Sequence, residues 1–484
     1  MRLTLLPRLR LWNALLLIVA ACSGVVAPLR AAPLREMPAE VRAVLAQKSV
    51  PPESISAIVA PALGGEPLLS VQPQRPMNPG SVIKLVTTAA AVDLLGPDYA
   101  WQTRFYADGP IQNGVLLGNL YVQGGGDPKF VLERIQAAFA ALQAQGIRTV
   151  MGDWVLDQSA FNIQAGDAGE FDGEVLRPYN VQPEALLVNF KSVILKFNPD
   201  RGAGVARVEV EPPLAELRVP STVKLRRGRC GDWRSALRAN VENPLRFDFA
   251  GSYPSACGNL EWPVAYIEPQ AYAGRALLGL WSSVGGRLEG KVREGAVPAH
   301  ARLIHSAPSL PLAEIIADVN KFSNNVMAQQ VFLTLSAADN ERASFERSRQ
   351  RVGQWWRDQV STQMATPVVD NGSGLSRDTR VSVEQLLALL RHAAAQPHAQ
   401  AFIDSLSIAG IDGTVSRLGR DGRAPFSFAN ARLKTGTLRD VTAIAGYVDN
   451  RQGERLVVVA IINDDNAKQA RTALYALVEW AASQ

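Results

Sequence analysis

The chain has 484 residues, enough for two or three domains with substantial cores. Its unbiased composition, with 47% hydrophobic residues, excludes a fibrous or low-complexity protein. The formal net charge of +5 includes Arg2, Arg8 and Arg10 of a leader, so about +2 remains after leader removal, and we expect no nucleic-acid partner.

Residues 1–32 are predicted to be an export signal. A basic start precedes an apolar segment, residues 11–21, that is too short to remain as a membrane-spanning helix. Val19-Ala20-Ala21-Cys22 resembles a lipobox, which would make Cys22 a lipid-anchored first residue. The alternative is ordinary signal cleavage a few residues later. Either route predicts a periplasmic protein, and peripheral or lipid-anchored membrane association stays open.

The first folded elements lead to a candidate nucleophile. A helix is predicted over residues 38–50 and a β-hairpin over 54–72, and a Pro-Gly turn then opens a helix over 81–95. Ser81 lies in the first turn of that helix, and Lys84 follows on the same face. The positive end of the helix dipole favours negative charge at Ser81. This pattern predicts a serine nucleophile with a lysine base.

Ser-x-x-Lys by itself is a weak signal, because Ser221 and Lys224 have the same spacing. That second match lies in a stretch that follows two prolines and is predicted to be extended. Residues three apart on a strand point to opposite faces, so we discard it.

From Lys84 to the next motif, at Ser323, the chain runs 239 positions, too many for a loop. Strands over 101–123, a helix over 130–145 and a strand over 147–156 predict a β-α-β arrangement. Residues 177–262 are predicted to form a small β-rich module nested inside this insertion. A helix over 268–284 then leads back to the first domain near residue 300.

The nested module contains the two cysteines that follow the leader, Cys230 and Cys257. In an oxidising compartment they can form a disulfide worth about 3–4 kcal/mol; the alternative is two buried free thiols. The four histidines show no metal-ligand spacing, so we expect no metal and no cofactor.

The C-terminal part contains two further motifs. Ser323-Asn324-Asn325 interrupts a helical region over 312–335, and Lys434-Thr435-Gly436 opens an extended stretch. Strands over 442–449 and 455–463 and a closing helix over 467–482 follow. Because both ends of the chain supply strands and a helix, we expect one sheet built from the two termini.

Ser-x-x-Lys, Ser-x-Asn and Lys-Thr-Gly, in this order, are the active-site elements of penicillin-binding proteins and serine β-lactamases. With the long insertion, the chain resembles the class C low-molecular-mass penicillin-binding proteins, the D-alanyl-D-alanine carboxypeptidase/endopeptidases. Further motifs that carry the resemblance lie at residues 118–128, 320–325, 370–377, 410–414 and 434–437.

The resemblance implies an α/β (α+β) catalytic domain of the serine DD-peptidase/β-lactamase type, with an antiparallel sheet, helices on both faces and a large nested β-rich insertion. The predicted domains are 33–100 with 300–484 (catalytic), 101–176 with 263–299 (insertion) and 177–262 (nested). The implied partners are peptidoglycan stem peptides and cross-links as substrates, and β-lactams as inhibitors. The alternatives are a β-lactamase and a non-catalytic cell-wall scaffold.

The resemblance also implies residue roles. Ser81 attacks the D-Ala carbonyl, with Lys84 as its base. Ser323 bridges Lys84 and Lys434 and passes the proton to the leaving amine. Asn325 bonds the substrate backbone and Lys84.

Lys434 and the Thr435 hydroxyl are expected to bind the substrate's terminal carboxylate. Gly436 lets the substrate backbone lie against the strand. The Thr437 N–H joins that of Ser81 in an oxyanion hole.

Two further residues have open alternatives. Arg377 either binds a stem-peptide carboxylate or makes a structural ion pair. Asp127 either reaches a substrate amine or is an Asp-Pro turn residue.

Overall fold

The protein is described by a computed structural model, which covers residues 36–484 except 165, 338–340, 417 and 419–430. The predicted leader, including Cys22, lies outside the described residues. Within them, no helix combines the length and the hydropathy that crossing a bilayer requires.

The helices of the described part largely follow the predicted pattern. The helix after the Pro-Gly turn differs at its start, because a 3-10 turn at Gly80–Ile83 comes before the α-helix. The closing helix begins at Arg471 rather than at residue 467, and the short α4 was not predicted. The helices are α1 (Ala39–Gln47), α2 (Lys84–Leu95), α3 (Leu132–Ala144), α4 (Trp233–Leu237), α5 (Pro269–Ser283), α6 (Leu312–Lys321), α7 (Asn325–Thr334), α8 (Phe345–Trp355), α9 (Val383–Ala395), α10 (Ala399–Asp404) and α11 (Arg471–Ser483).

The strands are concentrated at the two ends of the chain and in the insertion. In chain order they are β1 (Ile55–Pro61), β2 (Leu69–Val71), β3 (Gln102–Ala107), β4 (Ile111–Gln112), β5 (Val115–Leu116), β6 (Leu120–Gln123), β7 (Thr149–Val150), β8 (Trp154–Asp157), β9 (Ser192–Asp200), β10 (Val205–Glu211), β11 (Thr222–Arg226), β12 (Ala239–Asn243), β13 (Arg246–Phe249), β14 (Tyr253–Pro254), β15 (Leu260–Ala265), β16 (Arg287–Leu288), β17 (Val292–Glu294), β18 (Arg302–Pro308), β19 (Ser407–Ile408), β20 (Ala431–Thr437), β21 (Val441–Asp449) and β22 (Arg455–Asn463).

The central sheet joins the two ends of the chain, as predicted. Its order is β19-β20-β21-β22-β1-β2, and every pair is antiparallel. Successive residues of β22 alternate between two cores: Val458 packs with α1 and α11 on one face, and Val459 packs with α2, α6 and α9 on the other. Helices cover both faces, so the predicted fold class is confirmed.

The insertion contains the predicted β-α-β arrangement, since α3 connects β6 to β8 and these strands pair in parallel. The strand β18 pairs with β3 and so belongs to the insertion sheet. The chain therefore leaves this sheet at Pro308, later than the predicted re-entry at residue 300.

The nested module is a sheet of order β14-β11-β10-β9-β15 with a β12-β13 hairpin. A disulfide joins Cys230 and Cys257, whose Cα atoms are 4.7 Å apart, in agreement with the predicted pairing. One continuous hydrophobic core, from Phe139 and Trp281 to Phe197 and Tyr253, extends through the insertion and the module. The predicted boundaries at residues 176 and 263 therefore cross a shared core.

Candidate active site

The turn that carries Ser81 is held by side chains from two directions. The Asn78 carboxamide accepts a hydrogen bond from Gly80 N at 2.9 Å and donates one to Ser376 O at 3.0 Å. At the end of β22, the Asn463 side chain bonds both backbone polar groups of Asn78, at 2.8 and 2.9 Å. The position of Ser81 is thus fixed to the central sheet.

Ser81 Oγ lies 2.9 Å from Lys84 Nζ. Lys84 is fully buried, and its ammonium also contacts Asn325 Oδ1 at 2.7 Å and the Ser373 carbonyl oxygen. Burial, and then the charge of Lys434, hold the pKa of Lys84 well below its ordinary value of 10.5.

The partners of Lys84 also determine where its lone pair points. A carbonyl and a carboxamide oxygen can only accept hydrogen bonds, so they take the two N–H groups of a neutral amine. The lone pair of Lys84 is then left for the Ser81 hydroxyl. A neutral Lys84 in this arrangement can accept the proton of the Ser81 hydroxyl.

The second motif lies in the break between α6 and α7, as predicted. The Asn324 side chain caps α7 by accepting a hydrogen bond from Met327 N at 3.1 Å. Ser323 has a φ of +58°, a left-handed conformation that is unfavourable for a serine and that the surrounding structure must stabilise. This conformation brings Ser323 Oγ to 3.0 Å from Lys434 Nζ.

The predicted bridge from Ser323 to both lysines is therefore found only on the Lys434 side. Asn325, the first residue of α7, makes the contact with Lys84 instead. Its Nδ2 donates to Tyr179 O at 2.9 Å, so the amide expected to meet the substrate is bonded to the insertion segment.

Lys434 lies within β20 and is fully buried. Its Nζ donates to Thr435 O at 2.7 Å as well as to Ser323. Burial lowers the pKa of Lys434 from 10.5 to about 7. The Thr435 hydroxyl, expected at the substrate carboxylate, lies 2.8 Å from Thr414 Oγ1.

Gly436 allows β20 to pack directly on the Ser81 turn. A Cβ at Gly436 would lie 2.2 Å from Pro79 O and 3.1 Å from Ser81 N. A Cβ at Gly80 would likewise lie 3.3 Å from Thr437 N. The amides of Ser81 and Thr437 therefore lie on either side of one close backbone contact. Gly436 must lack a side chain for β20 to pack this closely on the Ser81 turn.

The two residues with open alternatives have different surroundings. Arg377 is half-exposed, pairs with Asp440 at 2.8 Å and lies over the Phe171 ring at 4.8 Å. It lines a cleft of about 360 Å³. Asp127 is buried, and its carboxylate is bonded to Arg134 at 2.5 Å and to Lys129 N at 2.8 Å. This environment matches the structural alternative for Asp127.

Two contacts of the site were not predicted. The Ser373 carbonyl, which bonds Lys84, lies within the motif at residues 370–377, so its position was signalled but its role was not. The Tyr179 carbonyl had no sequence signal, since any residue carries a carbonyl.

Known proteins resemble this chain over most of its length. The family model described as D-Ala-D-Ala carboxypeptidase 3 (S13) matches residues 37–484. The D-alanyl-D-alanine carboxypeptidase DacB of Haemophilus influenzae is 27% identical over 390 residues, 80% of each chain. The D-alanyl-D-alanine carboxypeptidase of Actinomadura sp. is 28% identical over 462 residues, 91% of this chain and 83% of the relative.

Solved structures agree with the sequence relatives. The crystal structure of penicillin binding protein 4 (DacB) from Haemophilus influenzae has a TM-score of 0.73 at 24% identity, covering 92% of this chain and 99% of that one. Its complex with a β-lactam gives 0.68 at 25% identity, covering 91% and 98%.

The chain belongs to the D-Ala-D-Ala carboxypeptidase 3 (S13) family. It is a serine-type D-Ala-D-Ala carboxypeptidase with the penicillin-binding fold, so the predicted family, fold class and enzyme class are confirmed.

Proposed function

We propose that Ser81 is the nucleophile and Lys84 the general base of a peptidoglycan DD-peptidase that works through an acyl-enzyme. The observation that carries this proposal is the 2.9 Å contact between Ser81 Oγ and a fully buried lysine whose remaining partners accept hydrogen bonds. A neutral amine in that position takes the serine proton as the Oγ–C bond forms.

The second half of acylation needs a proton at the leaving nitrogen. Ser323, within 3.0 Å of Lys434 Nζ, is placed to supply it as the D-Ala amide bond breaks. Lys434, with a pKa of about 7, regains a proton from solvent near neutral pH. The charge of Lys434 also attracts the terminal carboxylate of the substrate. In the last step, after the leaving amine has departed, water hydrolyses the ester of Ser81.

The backbone N–H groups of Ser81 and Thr437 stabilise the oxyanion formed by the attacked carbonyl. Such a donor is worth about 3–4 kcal/mol of transition-state stabilisation. Asn325 Nδ2 carries two N–H groups, of which one donates to Tyr179 O and the other is left for the substrate backbone.

The test is intact-protein mass spectrometry after incubation with penicillin. The native chain should gain the mass of one penicillin, and Ser81→Ala should gain none. Ser221→Ala is the matched control, because Ser221 has the same Ser-x-x-Lys spacing on an extended stretch. Rapid loss of penicillin from solution without an adduct would identify a β-lactamase. No adduct and no turnover would support the scaffold alternative.

We further propose that the enzyme cleaves both D-Ala-D-Ala termini and D-Ala cross-links. We also propose that it is exported and acts in the periplasm. The cleft that Arg377 lines could hold a stem peptide whose carboxylate pairs with the guanidinium of Arg377. In that complex the ligand carboxylate replaces Asp440 as the partner of Arg377. Incubation with cross-linked muropeptides tests this. Arg377→Gln should raise KM for muropeptides and leave penicillin acylation unchanged. Equal KM values for the two proteins would assign Arg377 to the ion pair alone.

A further inference from the structure

The nested module carries a local concentration of positive charge that the small net charge of the chain conceals. Residues 218–238 include seven Lys and Arg and one acidic residue, a net charge of +6, whereas the whole chain has +5. Five of these cations, all exposed, are called the basic face here: Lys224, Arg226, Arg227, Arg229 and Arg234.

Four of the five cations lie on β11 and in the loop that follows it. Arg226, at the end of β11, is the register partner of Pro254 in β14. The disulfide then ties the loop that carries Arg227 and Arg229 to the segment after β14. Alternation along β11 buries Val223 and directs its neighbours on either side to solvent. Lys224 and Arg226 therefore project from the same side of β11, and Arg227 and Arg229 follow directly in the loop.

This surface is held in place by aromatic packing. The Arg234 guanidinium lies 5.4 Å from the centre of the Trp233 ring and 5.7 Å from that of Trp262. The helix α4, on which Arg234 lies, packs against β14. Arg234 is thus presented from a packed base and needs little ordering when a ligand binds.

Within the described part of the chain, no residue of the basic face makes an ion pair. The nearby carboxylate of Asp232 is bonded to Ser235 N and Oγ, at 3.2 and 2.6 Å, as the cap of α4. Other arginines of the module are paired, as Arg207 is with Asp200 and Arg246 with Asp248, both at 2.9 Å. The charge of the basic face is therefore left for an external anion.

The chemistry of the face favours a hydrated polymer of carboxylates. Four of the five cations are arginine, whose planar guanidinium pairs with carboxylates through two parallel hydrogen bonds. Stable attachment to a bilayer needs inserted apolar side chains or a lipid chain in addition to basic charge. In the described module, the strongly exposed large side chains of apolar character are Tyr179, at 42%, and Leu245, at 41%, and the rings of Trp233 and Trp262 lie under Arg234.

We propose that the basic face binds the stem-peptide carboxylates of polymeric peptidoglycan at a site separate from Ser81, so that the enzyme is retained on its insoluble substrate between cleavages. This inference rests on the proposed function for the identity of the polymer. None of the five cations is among the residues that contact Ser81, Lys84 or Lys434, so the two sites can be tested separately.

The experiment measures how much of the penicillin-acylated protein sediments with insoluble peptidoglycan. Acylation blocks the Ser81 site, so the sedimented fraction reports binding at the basic face. The variant Arg226→Gln/Arg227→Gln/Arg229→Gln should bind peptidoglycan about tenfold more weakly than the native chain. Each arginine–carboxylate pair formed with the polymer at an exposed surface contributes part of the binding free energy. The matched control Arg302→Gln/Arg351→Gln/Arg357→Gln removes three exposed arginines elsewhere and should bind like the native chain. Added salt should weaken the native complex.

A second arm uses the native protein alone, with peptidoglycan whose carboxyl groups have been converted to amides, and binding should be lost. Equal binding by the two triple variants, or undiminished binding to amidated peptidoglycan, would overturn the proposal. Binding of the native chain to anionic vesicles and not to peptidoglycan would overturn it in favour of a membrane. Penicillin adducts and hydrolysis of a soluble D-Ala-D-Ala peptide should be unchanged in the variants. If the native chain showed neither the penicillin adduct nor hydrolysis of the soluble peptide, that result would instead contradict the proposed function.

Discussion

Replacing the buried Lys434 by methionine should stabilise the protein near neutral pH while it removes activity. Burial lowers the pKa of Lys434 from 10.5 to about 7. This shift means that the folded protein disfavours the charged form of Lys434, relative to the neutral form, by about 5 kcal/mol more than water does. Methionine leaves the Ser323 and Thr435 oxygens without this donor, a loss of about 1 kcal/mol each. The expected net gain is about 3 kcal/mol near pH 6.5.

The sign of the pH dependence follows from the lowered pKa. Between the folded and unfolded pKa values, from about 7 to 10.5, the unfolded chain binds more protons, so this lysine makes the native protein more stable as pH rises. Below pH 7 the lysine is charged in both states and the cost of burial is complete. The advantage of Lys434→Met should therefore shrink to nearly zero by about pH 9.5.

Urea denaturation followed by tryptophan fluorescence, at about pH 6.5 and about pH 9.5, measures both effects. Lys224→Met is the control, because Lys224 is exposed and its replacement should change stability little at either pH. A Lys434→Met protein that is less stable than the native chain near pH 6.5, or a difference that does not change with pH, would refute the reasoning.

Three further predictions concern the same site and the module. Penicillin acylation should fall about tenfold per pH unit below the pKa of Lys84, because the protonated amine cannot accept the serine proton; a flat rate profile across acid pH would contradict this. Gly436→Ala should abolish the penicillin adduct through its clash with the Ser81 turn, whereas Thr437→Ala, at an exposed neighbouring position, should retain it. Cys230→Ser/Cys257→Ser should lose about 3–4 kcal/mol of stability in calorimetry, since the disulfide closes a 27-residue separation, and the native chain in reductant should match it.

The sequence alone predicted the elements whose chemistry is local. The spacing of Ser81 and Lys84 on one helical turn is set by helix geometry, and the central sheet follows from apolar runs at both ends of the chain. The predicted disulfide pair also needed little more than the count of cysteines and their compartment. The roles of the site residues, and of Arg377 in particular, stay predictions until the variants are measured.

Only the tertiary structure decided which partners complete each group. The carbonyls of Ser373 and Tyr179 contact Lys84 and Asn325 through backbone atoms, which no residue type announces. Ser323 contacts Lys434, and not Lys84, through a left-handed conformation in the break between α6 and α7. Hydrophobic periodicity determines which face of an element is buried, but the distances between charges, and hence their pKa values, depend on how distant segments meet in space.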